Sequence, residues 1–136
     1  MIENITGWLF RATNDLNGAV SLFQQEQPIL DIAIYHTQQS AEKALKGFLA
    51  FHNHDILKTH DVVKLVYLCA DIDSDFLELL KYAAFLTPHA TEYRYFEDIQ
   101  IAEDVAELLP EKEDVRTSID YATFILNFVK RKTGKQ

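Results

Sequence analysis

At the helical repeat of about 100° per residue, apolar and polar positions along this chain separate into faces over almost its whole length. Between Ile5 and Gln25, the residues Trp8, Leu9, Ala12, Leu16, Ala19, Val20 and Phe23 share one stripe, and Thr13, Asn14 and Asn17 face away. Pro28 suits the start of a second helix, where its missing N–H costs nothing, and the pattern carries that helix to His52–His54. Thr59 is the expected N-cap of a third helix over His60–Ala70. Asp73 or Ser74 caps a fourth, with Phe76, Leu79, Leu80, Ala83 and Leu86 inward, and Pro88 forces its end near Thr87. Pro110 opens a last helix running to about Lys132. The segment around Arg94 is expected as an ordered loop, and Ile101–Leu109 is a candidate for a short extra helix.

Four glycines, three prolines and no strand-like alternation leave all-α as the fold class. Long helices with short connections predict a single domain over residues 1–136, an antiparallel up-and-down helical bundle of five main helices. The last helix has one stripe for the bundle, Val115, Ile119, Ala122, Leu126 and Val129. Tyr121, Phe124 and Phe128 form a second, set well away from the first, and are expected to make a partner surface, most simply a homodimer.

The second helix is the most informative. Leu30, Ala33, Ala41, Ala44, Phe48 and Phe51 point one way; His36, Gln39, Lys43 and Lys46 gather on the other side, flanked by Asp31 and Glu42. A helix that only fills a core has no need of such a polar stripe.

Composition narrows the function classes. At 48% hydrophobic residues the chain can bury a core. No stretch approaches the roughly 20 apolar residues of a membrane span, and Met1-Ile2-Glu3-Asn4 does not begin a signal peptide, so a cytoplasmic location is expected. The single cysteine, Cys69, sits among apolar neighbours and is expected in the core. A net charge of −8 argues against unaided binding along a nucleic-acid backbone. The charge is uneven: Glu97, Asp98, Glu103, Asp104, Glu107, Glu111, Glu113 and Asp114 face only Lys112, whereas Lys130, Arg131, Lys132 and Lys135 make the C-terminal end basic. Acids before and bases after a helix complement its dipole, and an acidic face for a basic partner is the alternative.

Three stretches, in order, resemble the HEPN family. Gln38-Gln39-Ser40-Ala41-Glu42-Lys43-Ala44-Leu45-Lys46-Gly47-Phe48-Leu49 is similar to the family's second helix, and Lys58-Thr59-His60-Asp61-Val62-Val63-Lys64-Leu65 to the entry into its third. Thr91-Glu92-Tyr93-Arg94-Tyr95-Phe96-Glu97-Asp98 resembles a later segment, with Phe96 where the family usually has proline. The resemblance implies a helical bundle and, for stand-alone members, partnership with a minimal nucleotidyltransferase, often as a toxin–antitoxin pair. Ribonuclease members use an Arg followed roughly four to six residues later by a His, a proton-transfer group beside a phosphate-holding cation. This chain lacks that order: after Arg11 the next histidine is His36, and no histidine follows Arg94, Arg116 or Arg131. His89 and Arg94, in reverse order, are the remaining catalytic candidates for a metal-independent ribonuclease with a non-standard site.

A ligand site is expected from His36, Gln39, Lys43 and Lys46 with His60, Arg94 and Tyr95: cations on phosphates, a tyrosine ring on a base. That arrangement suits a nucleotide or RNA, either beside a partner or in a stand-alone nucleotide-binding module. The competing expectation is structural: Glu42 and Lys46 as a helical i, i+4 pair, and Arg94 as a loop clamp on a carboxylate such as Asp61. His52, His54, Asp55, His60 and Asp61 have the look of a metal site, but two histidines two apart on a helix diverge, so no metal and no cofactor is expected.

Overall fold

The computed structural model describes residues 2–90 and 109–135. Its elements are α1 (Ile2–Phe23), α2 (Leu30–Phe51), α3 (Val62–Ile72), a 3-10 segment (Ser74–Leu79), α4 (Leu80–Leu86), a 3-10 turn (Thr87–Ala90) and α5 (Lys112–Thr133), with no strand among the described residues. This is the all-α bundle expected. The Arg94 loop and the candidate extra helix, up to residue 108, lie outside the described residues.

Helix α2 is the centre. It packs on α1, α3, α4 and α5, so fourteen of its 22 residues are buried and both its apolar and its polar sides are covered. Small residues set its approach to α1. A Cβ added to Gly47 would lie 2.9 Å from Ile5 Cδ1 and 2.9 Å from Trp8 Cβ. One turn or more away, Ser40 Oγ donates to the Ala12 carbonyl at 2.8 Å. The core continues through Leu45, Leu49, Val62, Leu65, Val66, Leu79, Leu86 and Ile125. Cys69 is buried there as expected, its Sγ 3.6 Å from the Leu45 carbonyl, and burial pushes its thiol pKa far up, so it stays a protonated core residue.

Several ends differ from expectation for local reasons. Helix α2 begins at Leu30, two residues beyond Pro28, after an uncapped Ile29. The N-cap of α3 is Asp61, not Thr59: Asp61 Oδ1 accepts from Lys64 N at 3.1 Å, while Thr59 Oγ1 accepts from Asp61 N at 3.1 Å. Asp73 does cap the next element, accepting from Asp75 N, but that element begins as a 3-10 segment before becoming α4. Glu111 and Asp114 form a capping box at the start of α5. Gly134, at φ 71°, ends it, with Gly134 N bonded to the Arg131 carbonyl and Lys135 N to the Lys130 carbonyl.

The last helix buries more than one stripe. Val115, Ala122, Leu126 and Val129 face the bundle as expected, and so does Phe128, which is 6% exposed and meets Phe76 at 4.9 Å between ring centroids. Phe48, its ring tilted against Phe76 at 4.2 Å between centroids, completes an aromatic centre. The expected aromatic surface of Tyr121, Phe124 and Phe128 is therefore corrected at Phe128. Tyr121 is half-buried against Tyr82 and Phe85, and only Phe124, at 40% exposure, presents much of its ring to solvent.

Candidate functional site

The polar stripe of α2 divides into two internal clusters. In the first, Asp15 of α1 stands opposite α2. Its Oδ2 accepts from Lys43 Nζ at 2.6 Å, and its Oδ1 lies 3.5 Å from His36 Nδ1, which has no hydrogen-bond partner among the described residues. The 3.5 Å contact is thus a charge contact that exists only when the imidazole is protonated. Burial tends to raise the Asp15 carboxyl pKa, but interaction with His36 and Lys43 outweighs it and holds the carboxyl below its ordinary 3.8.

The second cluster centres on Glu42, buried on α2 and facing the connection to α3. Glu42 Oε2 accepts from Lys46 Nζ at 2.8 Å, one helical turn on, and Lys46 is itself buried. Glu42 Oε1 accepts from Gln38 Nε2 at 3.1 Å and lies 3.0 Å from His60 Nδ1. Gln38 Nε2 also donates to the His60 carbonyl at 2.9 Å, and Gln38 Oε1 accepts from Gln39 Nε2 at 2.8 Å. Both acceptors at Gln38 Nε2 can only accept, which fixes the orientation of the amide. Each buried polar side chain of this cluster has at least one hydrogen-bond partner, and the network ties the α2–α3 connection to α2. His60 keeps its ring 67% exposed on the outer side.

The structure thus brings together His36 with Lys43, and Gln39 and Lys46 with His60, but it places a carboxylate in each group. The helical Glu42–Lys46 pair is present as the structural alternative anticipates. Sequence reasoning missed Asp15 and Gln38. Asp15 carries no local signal because its partners lie on another helix. Gln38 opens the family-like Gln-Gln pair, and that pair was its one trace in the sequence.

The remaining candidates are dispersed. His89 belongs to the Thr87–Ala90 turn, while Arg94 and Tyr95 lie outside the described residues. The proposed Arg94 clamp on Asp61 lies outside them too; within them, Asp61 Oδ1 caps α3 and is 3.5 Å from Thr87 Oγ1, which also accepts from Val63 N at 3.3 Å. His52 packs on Phe48 and Phe51, and His54 Nδ1 is 2.7 Å from the Asp55 carbonyl oxygen. Among the described residues no group of three or more His, Cys, Asp or Glu is arranged to hold a metal ion, and no helix is long and apolar enough to cross a membrane.

The bundle and the sequence that builds it have relatives among known proteins. The family model of the HEPN domain matches residues 5–132, and the chain belongs to that family. The structure is similar to the crystal structure of TT1696 from Thermus thermophilus, with a TM-score of 0.77 and 25% identity over 94% of this chain and 97% of that one. It is also similar to ST0689, described as an archaeal HEPN homologue, with a TM-score of 0.72 and 27% identity over 95% of this chain and 97% of that one. The search of curated proteins gave no match.

Proposed function

We propose that this HEPN-domain chain works by association: a non-catalytic member that pairs with a minimal nucleotidyltransferase, in the manner of a toxin–antitoxin couple. One observation carries the reading. A phosphate-gripping site needs cations whose charge is not already neutralised. Lys43 and Lys46, the cations of the α2 stripe, instead sit 2.6 and 2.8 Å from the carboxylates of Asp15 and Glu42. The stripe thus holds the bundle together, and any nucleotide or nucleic-acid-related ligand of the complex falls to Arg94 and Tyr95. The absence of the Arg-to-His order in the sequence supports the non-catalytic part. Co-expression with a nucleotidyltransferase encoded beside this chain is expected to yield a complex that co-elutes in size exclusion. Separate elution of two folded proteins counts against the proposal.

A specific geometry favours a second reading, the metal-independent ribonuclease. Glu42 holds His60 Nδ1 at 3.0 Å while the ring stays largely exposed, which fixes one tautomer and leaves Nε2 for proton transfer. Under this reading purified protein cleaves RNA and His60→Gln abolishes the cleavage. Activity indifferent to that change would point to a contaminant.

A further inference from the structure

Glu42 and Lys46 place two opposite charges inside the bundle, 4% and 7% exposed, and packing alone does not call for them. A buried ion pair is a weak stabilising device, since well-packed apolar side chains of similar volume commonly do as well or better. What the pair adds is a carboxylate of fixed position behind His60. Glu42 Oε2 accepts from Lys46 Nζ at 2.8 Å, which leaves Oε1 to Gln38 Nε2 at 3.1 Å and His60 Nδ1 at 3.0 Å.

His60 stands in the connection just before the N-cap of α3, where a side chain is ordinarily free to turn. It is held twice. Gln38 Nε2 donates to its carbonyl at 2.9 Å, and Glu42 holds its ring. A carboxylate oxygen only accepts, so in the neutral ring Nδ1 carries the proton and the free lone pair is at Nε2. The ring is 67% exposed. A group with so much of its surface in water projects from the bundle, whereas substrate pockets enclose what they bind. The two histidines after α2 each show one half of this arrangement. His54 Nδ1 meets an oxygen at 2.7 Å, but it is the neutral Asp55 carbonyl. His52 is exposed, and its ring rests on Phe48 and Phe51 rather than on a carboxylate. His36 faces Asp15 only at 3.5 Å and is half as exposed as His60.

We propose that His60 is a phosphoryl-accepting histidine, modified at Nε2 by an activated donor of the acyl phosphate or phosphoramidate class. The N–P bond of a phosphohistidine is itself activated, so the donor must be activated too. The Nε2 lone pair forms the N–P bond. The bond from phosphorus to the donor's leaving group breaks, and its electron pair departs with that group. No proton has to move. The Nδ1 proton stays between the ring and Glu42, whose negative charge faces the positive charge that the ring acquires. Lys46 and Gln38 are positioning residues, acting through Glu42 and through the His60 main chain. Proton transfer in catalysis needs a substrate held at Nε2, and a projecting ring holds none; an acceptor has only to be reached. The proposal shares the Glu42–His60 contact with the ribonuclease reading but involves no RNA, and it does not depend on the nucleotidyltransferase partnership.

Incubation of the full chain with potassium phosphoramidate, followed by peptide mass spectrometry and phosphorus NMR, tests it. His60 is expected to take up the phosphoryl group at Nε2 roughly tenfold faster than His52 or His54, the internal references for exposure and for a neutral oxygen on Nδ1. Glu42→Gln, checked for folding by circular dichroism, is expected to bring His60 down to the rate of the references. Should that variant not fold, the comparison within the wild type decides alone. Uptake at His60 no faster than at His52 and His54, attachment at Nδ1, or an unchanged rate in folded Glu42→Gln each overturns the proposal. Nitrogen NMR of the unmodified ring separates the causes. A proton found on Nε2 removes the ribonuclease reading as well; a proton on Nδ1 with slow uptake removes this proposal alone.

Discussion

At the scale of single residues, Glu42 carries the most consequence. It is a buried carboxylate whose charge is matched by the buried Lys46 and whose oxygens are filled by Gln38, Lys46 and His60. Glu42→Gln keeps the shape but leaves the Lys46 ammonium without its counter-charge in a low-dielectric setting. A loss of about 3 kcal/mol in urea-denaturation stability is expected. The double change Glu42→Leu with Lys46→Met removes both charges together and is expected to recover a large part of that loss; equal damage by the two would show that packing, not charge, is at stake. Asp15 gives a pH signature. Its folded-state pKa lies below the ordinary 3.8, so as pH falls the unfolded chain takes up the proton first. Its stabilising contribution is complete above 3.8 and disappears as pH drops through the folded value. Asp73, lowered chiefly by its hydrogen bond from Lys132, works in the same direction. Melting temperatures measured from about pH 6 downward should therefore decline at the acid end (a window set near the ordinary carboxylate value), and Asp15→Asn should flatten part of that decline. The Glu42–Lys46 pair was legible in the sequence because both partners share one helix turn. Asp15 was not, since its link to Lys43 spans 28 positions and exists only after α1 and α2 have docked.

At the scale of elements, the closeness of α1 and α2 depends on the absence of a side chain at Gly47. Replacing glycine by alanine inside a helix ordinarily gains about 1 kcal/mol in helix propensity. Here the new Cβ meets Trp8 Cβ at 2.9 Å, an atom fixed to the α1 backbone, besides the more adaptable Ile5 Cδ1. Gly47→Leu, with nowhere to put its branched end, is expected to cost about 3 kcal/mol or to disorder the pair, read as a depressed melting temperature. Gly47→Ala should come out near neutral or worse despite its propensity; clear stabilisation would mean that the two helices separate at little cost. Hydrophobic period and helix-forming composition made all five helices legible, because both are local. Their ends were less so. Thr59 and Asp61 are both good caps, and which one closes α3 is decided by the Gln38 bond to the His60 carbonyl and by Thr87 meeting Val63 N, contacts with no trace in the local pattern. The 3-10 form of Ser74–Leu79 likewise has no periodic signature distinct from the first turns of an α-helix.

At the scale of the whole molecule, the sequence gives the bundle class readily but not which of two apolar faces of α5 is inside. Both are, in part, because α5 lies against α1, α2 and α4 together and so buries a wide arc that includes Phe128. What remains outside is a narrower line along one helix, Arg116, Asp120, Phe124, Asn127 and Arg131, with Glu113 before it. The line is acidic or mixed at its start and basic at its end, and its one large apolar group, Phe124, lies near the middle, resting on Tyr82 at 4.7 Å. Two copies laid antiparallel along such a line bring Phe124 against Phe124 and set Asp120 of each beside Asn127 of the other. That is the pattern a two-fold interface requires, since every contact is made twice. The homodimer proposed from the aromatic stripe therefore narrows to Phe124 and the exposed residues on either side of it. Phe124→Asp puts two carboxylates at the two-fold axis without touching the core, so light scattering is expected to show a dimer in the wild type and a monomer in the variant, with unchanged helicity. A wild type that is monomeric at tens of micromolar, or a variant whose mass does not change, removes the homodimer and leaves this face of α5 to a different partner.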